Sequence, residues 1–265
     1  MLPSPSIDST RTVDADHPQH LREMDRDYLI GWGSREILMS SLFTLVGFAV
    51  ALALSATWSV WWLLTLLPIG FLGLCGIFFF RNPQRNVPNA PGLLVAPADG
   101  EVWDITEVST VDFIDEPCVC IGIFLSIFSV HVNRAPARGR VESVEYCPGR
   151  FHDARKNLAA TENESNSIVL ECEEPGAPAG IRLLVRQISG AVARRIICPL
   201  PIKDRVARGG LLGMIKYGSR TELYIPQRLQ PQLRVRVGDK VSGGESVVAA
   251  FGPAIGRTDV NDRDE

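Results

Sequence analysis

ILMSSLFTLVGFAVALALSATWSVWWLLTLLPIGFLGLCGIFFF, residues 37–80, contains no Asp, Glu, Lys or Arg. One helix of roughly 20 apolar residues crosses a bilayer, so this run is long enough to cross twice. The break falls at Ala56-Thr57-Trp58-Ser59, which predicts a first helix over Ile37 to Ser55 and a second over Val60 to Phe80. Trp58, Trp61 and Trp62 then occupy the place of an interfacial aromatic belt. Arg22, Arg26 and Arg35 precede the run and Arg81 and Arg85 follow it. The positive-inside rule puts both ends on the cytoplasmic face, and with them whatever domain follows. A long polar lead without a small-residue cleavage site argues against a signal peptide. The competing reading is a helical hairpin buried in a soluble core.

Outward from the run, residues 1–35 are rich in Pro, Asp, Ser, Arg and His without apolar periodicity, and read as a flexible polar segment. Residues 36–81 form the transmembrane hairpin, 82–255 a β-rich domain, and 256–265 a polar tail. Within 82–255, Val119 to Leu125 is a continuous apolar run suited to a buried strand. Ile181 to Arg186 and Leu233 to Val237 alternate, as half-exposed strands do. A short helix is expected from Ser189, as its cap, through Ile197. The fold class expected is mainly β, a sandwich or barrel-like hybrid with few short helices, preceded by the membrane hairpin. Val237-Gly238-Asp239-Lys240-Val241 and Ala98-Asp99-Gly100-Glu101-Val102 resemble the Gly-Asp hairpin turns of biotinyl and lipoyl domains.

The formal net charge of -3 and the lack of a basic stripe interleaved with aromatics argue against a nucleic-acid partner. Six cysteines occur without a C-x-x-C pair, which suggests neither zinc nor a disulfide frame. Of four histidines, His17 and His20 lie in the polar lead, leaving His131 and His152 for the folded part.

Chemistry is suggested by Gly218-Ser219 in the run Gly213 to Glu222. Glycine leaves its carbonyl carbon unshielded and reaches backbone angles closed to other residues, so a following hydroxyl has access to that carbonyl. Most Gly-Ser pairs are merely turns, and the motifs around this one decide otherwise. Phe80-Arg81-Asn82-Pro83, Ala96-Pro97-Ala98-Asp99-Gly100, Ile123-Phe124-Leu125-Ser126, Val130-His131-Val132-Asn133-Arg134-Ala135-Pro136, Gly149-Arg150-Phe151, Glu162-Asn163-Glu164, Ala193-Arg194-Arg195-Ile196 and Gly213 to Ser219 follow in order. In this series the chain resembles the phosphatidylserine decarboxylases of the short prokaryotic type.

That resemblance implies a zymogen that cuts itself at Gly218-Ser219, giving a heterodimer of a large chain (1–218), a small chain (219–265) and a covalent pyruvoyl group formed from Ser219, with no metal. It implies Asp99, His131 and Ser219 as a catalytic set resembling a serine protease triad. The product would be phosphatidylethanolamine, with the pyruvoyl carbonyl as electron sink. A phospholipid substrate and the bilayer are the implied partners, and a higher oligomer is left open. Longer family members carry a second histidine three residues after the first, where this chain has Arg134. Arg194 and Arg195 are candidates for the phosphate or carboxylate of the headgroup, since a guanidinium suits both; Asn133 and Arg134 are further candidates. Leu211, Leu212, Met214 and Phe151 are candidates to face acyl chains. Four alternatives stand beside this: the same chemistry on archaetidylserine, a membrane-anchored serine hydrolase, a biotinyl or lipoyl-like carrier modified at Lys216, and a non-enzymatic membrane scaffold with a β-rich domain.

Overall fold

The computed structural model describes residues 21, 25, 27, 31–191, 195–216 and 218–251. The uncharged run forms two helices, α1 (Ser34–Thr57) and α2 (Leu66–Phe79), linked through a 3-10 segment, Val60–Thr65. Ser59 makes the break: its backbone is extended and its hydroxyl accepts the Trp61 amide. Residues 31–57 and 60–79 are each long and apolar enough to cross a membrane. Leu38, Phe43, Leu67 and Phe71 are about two-thirds or more exposed, a disposition opposite to that of a hairpin buried in a soluble core. The helices meet along small residues. A Cβ on Gly73 would fall 2.1 Å from Thr44 Oγ1, and one on Gly76 would fall 2.3 Å from Ser40 Oγ, so glycine is what lets the two backbones approach.

The remainder is mainly β. Its strands are β1 (Leu93–Val95), β2 (Gly100–Val108), β3 (Cys118–Leu125), β4 (Val132–Arg134), β5 (Gly139–Cys147), β6 (Ser165–Cys172) and β7 (Arg182–Ser189). There follow β8 (Arg195–Ile197), β9 (Arg205–Val206), β10 (Leu211–Lys216), β11 (Ser219–Pro226), β12 (Gln232–Leu233), β13 (Lys240–Val241) and β14 (Val247–Ala250). A short α-helix, α3 (Asn157–Glu162), and a 3-10 turn, Gln227–Leu229, interrupt them. An eight-stranded sheet runs β13-β2-β3-β11-β7-β6-β5-β9, and two three-stranded sheets run β4-β10-β8 and β1-β14-β12. The pairings are antiparallel.

Both faces of the large sheet are covered. Ile121, Ile123, Leu125, Leu183, Val185 and Leu223 point into the main core with Val132, Leu211, Leu212 and Met214 of the small sheet. Cys118, Cys120, Leu184 and Tyr224 point the other way, into a second cluster with Ile114. For this reason β7, expected to be half-exposed, is buried at six of its eight residues.

Two local expectations are corrected. The helix expected over 189–197 is a strand end and a strand start: Ser189 closes β7 and Arg195–Ile197 is β8, paired with β10. Ile188 and Ser189 are held by cross-strand bonding to Arg220 and Ser219, and the β-branched Ile196-Ile197 suits a pleated surface better than a helix. The strand expected over 233–237 stops at Leu233. Beyond it the chain bends into the Gly238-Asp239 turn, where Gly238 has φ +95° and the Asp239 carboxylate accepts the Arg236 amide at 2.8 Å. That turn feeds β13, which pairs with β2 rather than folding back on the preceding segment. Among the described residues of the polar segment 1–35, Leu21 lies in the main core, Asp25 is 2.8 Å from the Arg134 guanidinium and the Asp27 carbonyl accepts from Asn82.

Candidate active site

Strand β10 belongs to a small sheet and β11 to the large one, and Gly218 immediately precedes β11. Gly218 makes the corner with φ +63°, a region open to glycine at little cost. Its carbonyl lies against Gly190, where an added Cβ would fall 2.3 Å from that oxygen. The carbonyl of the Gly218-Ser219 bond thus packs against the bare backbone of Gly190, with Ser219 flanked by Leu125 of β3 and Ser189 of β7.

His131 stands just before β4 and is fully buried. Its Nδ1 is 2.9 Å from the Ser129 carbonyl, and its Nε2 accepts the Gly218 amide at 3.2 Å. A carbonyl can only accept, so Nδ1 carries the proton and the Nε2 lone pair faces Gly218. The Phe79 ring at the end of α2 packs on the imidazole with centroids 4.2 Å apart. Burial lowers the His131 pKa to about 4, and the charge of Arg81 works in the same direction. At neutral pH the ring is an uncharged base.

Ser219 Oγ and Ser189 Oγ are both buried without a hydrogen-bond partner. They belong to residues directly opposite on adjacent strands. Each such orphan hydroxyl costs about 1–3 kcal/mol, so the pair marks a place where stability is set aside.

A line of polar side chains two residues along β7 and β11 is hydrogen-bonded from end to end. Asn166 donates to Gln187 at 2.9 Å, Gln187 to Asn133 at 2.8 Å, and Asn133 to Thr221 Oγ1 at 2.9 Å. This chain of amides ties β6, β7, β4 and β11 behind the site. Arg134 donates to the Gly209 carbonyl at 2.8 Å, to Asp25 at 2.8 Å and to Asn82 at 2.6 Å. Asn133 and Arg134, expected at the headgroup, are therefore buried and held by protein partners.

The structure brings Ser219, Gly218 and His131 together and places Asp99 in another cluster. Both Asp99 oxygens lie 2.8 Å from Arg85 Nη2, and Oδ1 accepts the Gly243 amide at 2.7 Å. The acceptor that orients His131 is the Ser129 carbonyl. Arg195 is exposed on β8, in register with Lys216, while Arg194 lies outside the described residues. His152 pairs with Glu162 at 3.2 Å on the loop beside the site. Leu211, Leu212 and Met214 are wholly buried core, whereas Phe151 is 42% exposed. Lys216, the residue a carrier would modify, is buried with its ammonium 2.5 Å from Glu36 and 3.1 Å from the Trp32 carbonyl. Ser189, Ser129 and Phe79 are the groups sequence reasoning missed, because their relation to Ser219 and His131 is set by strand register and helix docking.

A β domain whose histidine lone pair faces a buried Gly-Ser corner, capped by an apolar hairpin, is the class these features define. A phosphatidylserine decarboxylase family profile matches residues 72–249. The phosphatidylserine decarboxylase proenzyme of Rhodopirellula baltica is 41% identical over 244 residues, covering 92% of this chain and 96% of the relative. The proenzyme of Carboxydothermus hydrogenoformans is 43% identical, covering 77% of this chain and 91% of its own. That of Desulfotalea psychrophila is 39% identical with 77% and 91% covered. The chain belongs to the phosphatidylserine decarboxylase family, a family of carboxy-lyases.

Proposed function

We propose that this chain decarboxylates phosphatidylserine to phosphatidylethanolamine after cutting its own backbone at Gly218-Ser219. The single observation that carries this reading is that the residue on the acyl side of the Gly218-Ser219 bond donates its amide to the His131 lone pair while the hydroxyl on the other side, that of Ser219, is buried without a partner. His131 Nε2 exchanges the Gly218 amide for the Ser219 hydroxyl and takes its proton, and Oγ attacks the Gly218 carbonyl. The imidazolium passes that proton to the Ser219 nitrogen as the C–N bond breaks, so an ester forms, the Ser219 amine is freed and His131 is neutral again. Loss of the Ser219 α-proton then expels the Gly218 carboxylate and leaves dehydroalanine at the head of residues 219–265. Water enters and ammonia leaves to give the pyruvoyl cap.

Residue 219 lies deep in the fold, and the Ser189 hydroxyl opposite it is a donor with no protein acceptor, which suits an oxygen-bearing group at that position. Such a group supplies an electron-accepting carbonyl for the headgroup amine as carbon dioxide departs. His131 Nε2 holds the proton that returns to the substrate α-carbon. Phe79 keeps water from the imidazole. Arg195, exposed and close to the site strand, takes the headgroup phosphate or carboxylate, a role Arg194 shares. Asp99 fixes the β1–β2 turn through Arg85 and Gly243. The hairpin spans the cell membrane with the β domain on the cytoplasmic side, where Arg81 and Arg85 follow the second span. The large and small chains stay together because Ser219 to Pro226 is a central strand of the sheet.

The test is reductive trapping. Borohydride added to full-length protein with phosphatidylserine is expected to fix the lipid amine to the chain beginning at residue 219. No lipid label on that chain, with biotin or lipoate mass on Lys216, would support the carrier alternative and contradict this reading.

A further inference from the structure

We infer that the turn Ser126 to Ser129 dips into the bilayer beside the hairpin and makes the edge over which lipid substrate reaches Ser219. The inference rests on the reading that α1 and α2 span a membrane. The turn is closed on itself: the Ser129 amide donates to the Ser126 carbonyl at 2.9 Å, and Ser129 Oγ accepts the Ser126 amide at 3.1 Å. That closure pushes Ile127 and Phe128 outward, 55% and 73% exposed. Two adjacent large apolar side chains on a fixed turn form a surface patch with a purpose other than core packing.

What covers them is indicated by Arg81, the first charge after the uncharged run. Its Nη2 donates to the Phe128 carbonyl at 2.5 Å, and its guanidinium stands 4.2 Å from the centroid of the Phe78 ring, on the last turn of α2. An arginine at a span end keeps its stem against apolar surface and its head at the interface. The tip is therefore bonded to the residue that marks the membrane boundary, and its apolar side chains continue the apolar surface of α2. Burial of an Ile and a Phe in the hydrocarbon favours seating a turn that the hairpin already holds at the surface.

The stem of this turn reaches the site on both sides. Leu125, just before it, is the cross-strand partner of Ser219, and Ser129, its last residue, holds His131 Nδ1. Lipid contact at the tip is within two residues of each group that frames the scissile corner.

The experiment places p-benzoylphenylalanine at position 128, at 67 and at 202 in the full-length chain, reconstituted in nanodiscs of phosphatidylcholine and phosphatidylglycerol. Leu67 is exposed on α2, and Ile202 is an exposed apolar residue of the β domain near β9. Irradiation is expected to add lipid mass at 128 and 67 and none at 202. Lipid at 67 alone overturns the inference while leaving the membrane reading intact, and lipid at neither 67 nor 128 overturns both. Adducts at all three positions, or a protein–protein adduct at 128, also overturn it. In parallel, I127S/F128S is expected to lower kcat/KM about tenfold on phosphatidylserine in the bilayer, with little change on a dispersed short-chain analogue. An equal fall on both would make the tip a structural part of the turn and refute the inference.

Discussion

Two polar centres lie two residues apart along β11 and β7 and are built on opposite terms. Asn166, Gln187, Asn133 and Thr221 form a line of amides and a hydroxyl in which each link has a partner. Ser219 and Ser189, next to them on β11 and β7, have none. Both groups are buried, so desolvation is common to them and satisfaction is what differs. The first centre locks four strands together, whereas the second leaves lone pairs and protons available for chemistry.

The comparison breaks most completely at His131. His131→Ala is expected to slow appearance of the two chains by about 10²-fold or more, as loss of a general base does, measured by gel after synthesis. Normal processing would remove His131 from the base role. Phe79→Ala comes next, with a loss of about 3–5 kcal/mol in unfolding free energy from the cavity beside the ring. Because burial is what lowers the His131 pKa to about 4, opening that wall lets it climb toward 6.5. Neutral imidazole is the active base, so the rate falls as pH drops through the pKa. The acid limb of the processing profile should therefore move to higher pH in the variant. The linkage sign agrees: below pH of about 6.5 the unfolded chain takes a proton that folded His131 refuses, and stability declines until about pH 4.

The sharpest contrast is Gln187→Leu against Ser189→Ala. Gln187→Leu strands the Asn133 carbonyl and the Asn166 amide, and should cost about 1–3 kcal/mol in denaturant unfolding for each orphaned group. Ser189→Ala removes a hydroxyl that was already unpartnered. It should leave stability unchanged or slightly higher while slowing turnover about tenfold, one lost hydrogen bond's worth. A fall in stability with full activity would place Ser189 in the structural centre instead.

The same contrast explains what was legible in the sequence. Absence of charge from Ile37 to Phe80 is a local property, and the two helices follow it to within a few residues at each end. His131, Gly218 and Ser219 are marked by their motifs, and the structure joins them. Ser189 is marked by nothing local. It reads as a helix cap until β7 is registered against β11, a pairing between residues 30 apart in sequence. Asp99 illustrates the converse. Its motif is plain, yet its hydrogen bonds depend on Arg85 and on Gly243, far along the chain. Phe79 reads only as the end of a membrane span, and docking of α2 on the domain makes it the wall of the imidazole pocket.

Intact mass of the purified, active full-length protein tests the central claim most directly. The account predicts two chains, residues 1–218 and 219–265, the second lighter by one ammonia than a simple hydrolytic fragment, with Ser219→Ala remaining a single inactive chain of 29.1 kDa less one oxygen. An active preparation consisting of one unbroken polypeptide would contradict it.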